Sequence, residues 1–152
     1  MNTYEGSNRI VEGTNTVVAT IPVGAGPIHV AITPNGAFAY VTNQNVASLS
    51  VISTASKTVV ATVPVGPGPT GLAITPNGAF AYVAIQGNNR VAVINTATNT
   101  VVANVVVGAA PVGVDITPNG AFAYVTNANS NSVSVISTAT NTVVATVPVR
   151  ST

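Results

Sequence analysis

An all-β chain of repeated four-stranded antiparallel units is predicted by three observations. The nonapeptide ITPNGAFAY occurs three times, at residues 32–40, 74–82 and 116–124, and the copies are 42 residues apart. Each copy holds a Pro-Asn-Gly corner between two short apolar runs rich in β-branched or aromatic residues. No 3.6-residue apolar period is visible, and Gly or Pro interrupts the chain every ~10–20 residues, so helix is disfavoured. Four short strands per ~42 residues is the pattern of a β-propeller blade, whereas the helical repeats of similar length need a helical period.

The elements of one unit follow in order. Residues 28–32 (IHVAI) form a first strand. Thr33-Pro34-Asn35-Gly36 is a hairpin turn, because Pro presets φ at the first corner and Gly supplies the positive φ that follows. Residues 38–42 (FAYVT) alternate large and small side chains, as a strand with two packed faces does. Residues 43–47 are a polar loop, 48–52 (SLSVI) a third strand, 54–57 a turn and 58–65 a fourth strand, which Gly66-Pro67-Gly68-Pro69 breaks. Aligned without gaps, residues 22–63 and 106–147 are identical at 31 of 42 positions, which implies recent duplication or deliberate construction.

The whole chain, 1–152, therefore reads as one propeller segment: an outer half blade at 6–23 and full blades at 24–66, 67–108 and 109–150. The half blade rests on Gly6 to Val11, which matches Gly87 to Ala92, and on residues 16–23, which match a fourth strand. Four blades, the usual minimum for a ring, need ~168 residues. An open array exposes one apolar blade face at each end, so the sequence predicts self-association, most simply as a homodimer.

Composition excludes several functions. There are four basic and three acidic side chains, 5% of the chain against a usual ~25%, and 47% of residues are hydrophobic. Disorder requires the opposite balance. Four scattered cations, Arg9, Lys57, Arg90 and Arg150, make no stripe for nucleic acid. Mean hydropathy is +0.51, yet no run of ~18 apolar residues exists, so no membrane insertion is expected. The amino terminus lacks the apolar core of a signal peptide. Without cysteine there is no disulfide framework, thiolate metal site or cysteine nucleophile.

The inventory for chemistry is short. Glu5 and Glu12 read as solvated surface. One histidine without cysteine makes no zinc site in a single chain. No Ser-His-Asp set surrounds a defined motif, and no phosphate-binding glycine loop is present, so neither catalytic residue, metal nor cofactor is expected. The remaining signal lies where the units differ. His29 replaces Gly71 and Gly113, and Asp115 replaces Ala31 and Ala73. Both positions lie on one side of the innermost strand, which lines the channel of a propeller, so both are ligand-binding candidates at its mouth. Arg90, in the divergent loop 86–90, is a third. The plain structural alternatives are a loop cap for His29, backbone hydrogen bonds for Asp115 and surface variation for Arg90. The stripe Phe38, Tyr40, Phe80, Tyr82, Phe122, Tyr124 is read as core.

The motifs AYVTN at 39–43 and 123–127, with ITPNG before and TNTVVATVPV at 140–149, resemble the YVTN family of β-propeller repeats. The resemblance covers residues ~6–150. It implies the propeller fold, an extracellular or cell-surface location of surface-layer type, and other proteins or surface glycans as further partners. Family repeats carry Asp where this chain has Ser53, Asn95 and Ser137 and Asn35, Asn77 and Asn119, and the second unit reads YVAI at 82–85. The expected function is a non-enzymatic structural or interaction scaffold that oligomerises into a closed ring. The alternatives are a small-ligand-binding or hydrolytic propeller, and an engineered or ancestral-like half propeller with no evolved ligand.

Overall fold

The computed structural model describes residues 15–149. The expected strand at residues 6–11, with Arg9, Glu5, Glu12 and Arg150, lies outside the described residues. Among the described residues, twelve strands form three separate four-stranded antiparallel sheets, each in sequence order. The first blade holds β1 (Pro27–Ile32), β2 (Phe38–Asn43), β3 (Ser48–Ser53) and β4 (Thr58–Pro64). The second holds β5 (Pro69–Ile74), β6 (Phe80–Ile85), β7 (Arg90–Asn95) and β8 (Thr100–Val106). The third holds β9 (Pro111–Ile116), β10 (Phe122–Asn127), β11 (Ser132–Ser137) and β12 (Thr142–Pro148). The two short helices among the described residues are single 3₁₀ turns at Gln44–Val46 and Gln86–Asn88.

The first hairpin of each blade forms as its chemistry dictates. Gly36 N–H donates to the Thr33 carbonyl at 2.8 Å, and Asn35 Oδ1 accepts from Ala37 N at 2.9 Å. Gly36, Gly78 and Gly120 have φ of 76°, 76° and 75°, a region that costs a residue with a β-carbon. Thr54 Oγ1 donates to the Gly36 carbonyl at 2.6 Å, so both turns at this end are tied together. Thr96 and Thr138 repeat that bond to Gly78 and Gly120.

The three innermost strands stack, with β5 packed between β1 and β9. Each blade has a forward face, turned to the blade that follows, and a rear face. The forward residues Tyr40, Leu49 and Val51 of blade 1 meet the rear residues Leu72, Ala81, Val83, Ile85 and Ile94 of blade 2 in one core. Tyr82, Val91 and Val93 meet Ala123, Val125 and Ile136 of blade 3 in a second. Period-two alternation thus places both faces of blade 2 in contact, which is why so uncharged a chain packs well.

Residues 16–23, expected as a fourth strand, form no strand among the described residues. The third strand they were expected to pair with lies outside those residues. Ile21 and Val23 nonetheless pack on the rear face of blade 1, against Ala39, Val41 and Ile52. Their repeat counterparts do the same: Val63 and Val65 sit in the core against blade 2, and Val105 and Val107 in the core against blade 3. The segment occupies the place of an outermost strand without the ladder of one. Inside it, on the rear face of β1, Val30 and Ile32 remain exposed.

Candidate functional site

His29, Asp115 and Arg90 stand on three different blades. His29 is exposed on β1, opposite Thr42, whose Oγ1 donates to the Thr70 carbonyl of β5 at 2.7 Å and lies 3.4 Å from the His29 carbonyl. Arg90 opens β7, two strands out from the inner strand β5, and is half-buried between Ile85 and Val106. Asp115 is exposed on β9, with β5 between its strand and β1. Its Oδ1 accepts from Ile116 N at 2.9 Å, the backbone bond that the plain structural reading expects.

The repeat shows which face of its blade Asp115 occupies. Its repeat counterpart Ala31 packs into the core between blades 1 and 2, so the position belongs to the forward face. Residues directly opposite in an antiparallel pair share a face, and Asp115 pairs with Tyr124. The carboxylate therefore stands beside a tyrosine on the uncovered side of blade 3. Together with Ile116, Thr117 and Pro118 they line an open cleft of about 220 Å³.

This forward face differs most from its counterparts. Tyr40 and Tyr82 are each 1% exposed, and Tyr124 is 46% exposed. The Tyr40 hydroxyl donates to Asn99 Oδ1 at 2.6 Å. The Tyr82 hydroxyl donates to Asn141 Oδ1 at 2.5 Å. Burial pushes both phenols above their ordinary value. No such partner meets the Tyr124 hydroxyl among the described residues. Phe122, Val147 and Val149, which register and repeat position place on the same face, are exposed as well. The reading of the aromatic stripe as core holds for Tyr40, Tyr82 and the half-buried Phe80 and fails for Phe38, Phe122 and Tyr124, which are exposed. For Phe122 and Tyr124 the reason is position in the stack, because no described residue covers that face.

Sequence reasoning also passed over two buried amides. Asn43 Nδ2 donates to Ser48 and Ser50 Oγ, and Asn127 Nδ2 donates to Ser132 and Ser134 Oγ. Their Oδ1 atoms are buried without a partner. A β-carbon at Gly24 or Gly108 would come within 2.8 or 2.7 Å of these side chains, which explains glycine there. Among the described residues no group of three His, Cys, Asp or Glu side chains can hold a metal. No described helix is long and apolar enough to cross a membrane.

Solved structures share this architecture. Kuenenia stuttgartiensis hydrazine synthase superposes with a TM-score of 0.79 at 28% identity, over 91% of this chain and 39% of that one. A functionally unknown protein from Desulfotomaculum acetoxidans DSM 771 gives 0.73 at 24% identity, over 82% and 43%. The WD40 repeats of RRP9 give 0.74 at 17% identity, over 84% and 40%. The chain thus spans about two-fifths of the structures it resembles. No curated protein matches its sequence. The sequence model of the family described as "Lactonase, 7-bladed beta-propeller" matches residues 3–147. With three four-stranded blades packed inner strand to inner strand, the chain is a β-propeller segment and belongs to that family.

Proposed function

We propose that this chain is a non-enzymatic structural or interaction scaffold, a YVTN-like partial propeller that completes itself by binding a second copy. The observation that carries the reading is the forward face of blade 3: the tyrosine that two other blades bury almost completely is 46% exposed there. Wet apolar area of that kind forfeits ~25 cal/mol per Å². The separation of His29, Asp115 and Arg90 onto three blades supports a scaffold over a catalytic centre, since acid–base work needs groups within hydrogen-bond reach of one substrate. An extracellular or cell-surface setting, with other proteins or surface glycans as further partners, follows from the YVTN resemblance and is part of the proposal.

The family description favours a second reading, a hydrolytic propeller, with Asp115 in the cleft beside Tyr124 as the group to test. A panel of simple lactones distinguishes the two. The scaffold reading expects no hydrolysis above buffer by the intact chain, and no change on Asp115→Asn or His29→Ala. Turnover that disappears in Asp115→Asn, with melting unchanged, assigns the hydrolytic function instead.

A further inference from the structure

The two blade joints within the chain show what covers a forward face. In each, a tyrosine of the second strand donates to an asparagine 59 residues further on, at the outer hairpin of the next blade. Those asparagines, Asn99 and Asn141, hold φ of 53° and 54°. Each is followed by Thr-Val-Val, and the first of those valines, Val101 or Val143, packs back into the core shared with the preceding blade.

Asn15 has the same place in the repeat, two repeat lengths before Asn99, with Thr16-Val17-Val18 after it. Its φ is 48°, the same left-handed turn conformation. Val17, the counterpart of Val101 and Val143, is 84% exposed. The fourth residue at this repeat position is Lys57, which has no side-chain acceptor to offer. Acceptor and valine are therefore presented at one end of the stack, on the segment lying over the rear of blade 1. Tyr124 is presented at the other, with Val147 and Val149 exposed on the same face.

We propose that the forward face of blade 3 docks the amino-terminal segment of a second copy of this chain, with the Tyr124 hydroxyl donating to Asn15 Oδ1 of that copy and Val17 packing on the same face. This rests on the self-association proposed above and names its joint. Tyr124 and Asn15 lie at opposite ends of the stack of described blades, so the two do not meet within one copy. Two chains joined twice close with two-fold symmetry, each giving its segment to the other. The docked segment is an outer strand and leaves β9 uncovered. Asp115 then keeps its charge in water, at a position where Ala31 and Ala73 are small and uncharged.

The chain has no cysteine, so Asn15→Cys and Tyr124→Cys variants each carry a single thiol. In a mixture of the two, a short bismaleimide is expected to link one variant to the other, while the second joint of that dimer stays native. Neither variant alone is expected to crosslink. Tyr124→Phe removes one hydrogen bond from each of two joints and is expected to weaken dimerisation by roughly tenfold or more. Crosslinking of Tyr124→Cys to itself, in a chain that still sediments as an oligomer, overturns the joint and leaves self-association standing. A folded monomer with no crosslink in any mixture overturns both.

Discussion

Gly71 is the position where blade packing is most exposed to a one-atom test. A β-carbon built there lies 2.4 Å from the Val112 carbonyl oxygen, 3.1 Å from Gly113 Cα and 3.3 Å from Val114 N. All three are backbone atoms of β9, so no side chain can swing aside. Restoring an ordinary contact requires β9 to retreat from β5 by about 1 Å, and overpacking of this kind costs about 1–3 kcal/mol. His29 fills the same repeat position on β1 with a whole side chain, so a joint spaced to accept a β-carbon is buildable, and opening β5 from β9 is the available relaxation. Gly113 is the internal control. A β-carbon there meets only Thr126 Oγ1, at 3.2 Å, because no described strand lies beyond β9. Gly71→Ala is expected to lower the melting temperature by about 3–10 °C. Gly113→Ala is expected to stay within ~0.5 kcal/mol of the parent, helped by the lower chain entropy of alanine. Thermal unfolding followed by far-ultraviolet circular dichroism at one fixed protein concentration measures both. Equal losses in the two variants, or a neutral Gly71→Ala, would refute the stacking of β9 on β5.

Gly78→Val forces a β-branched residue to φ 76° and is expected to cost ~1 kcal/mol or more, read as a lower melting temperature. Tyr82→Phe removes the buried hydroxyl that donates to Asn141 and is expected to cost about 0.5–1.5 kcal/mol in urea unfolding. Burial raises the Tyr40 and Tyr82 pKa values above the ordinary 10.0. The unfolded chain therefore loses these protons first: their contribution is fully present below pH ~10 and is lost as pH rises through the folded-state values. The double variant Tyr40→Phe, Tyr82→Phe is expected to show a flatter alkaline limb in unfolding free energy against pH.

The blade was legible because its turns are chemically explicit. Pro34-Asn35-Gly36 admits few conformations, and the 42-residue spacing placed two further copies of it. Strand boundaries came within one residue for β1, β2, β3 and β4 for the same reason. The candidate site was less legible, because exposure depends on what lies beyond a blade and not on the residues in it. Tyr82 and Tyr124 share the sequence Phe-Ala-Tyr-Val, yet one is buried and the other open. The side on which Asp115 stands was obscured similarly. Two-residue spacing put positions 29 and 31 on one side of the inner strand, but only the packing of Ala31 identified that side as the forward face. Asn15, just ahead of the expected strand at 16–23, drew no notice in the sequence, because its meaning lies in the hydrogen bonds of its counterparts Asn99 and Asn141.

Sedimentation equilibrium of the intact chain at micromolar concentration tests the central claim most directly, that three blades with an open forward face complete themselves with a second copy. The account predicts a species of about 30 kDa, twice the 15.0 kDa chain, that dissociates on dilution and more readily in Tyr124→Phe. A cooperatively folded monomer of 15.0 kDa at that concentration, with Tyr124→Phe indistinguishable from it, would contradict the account.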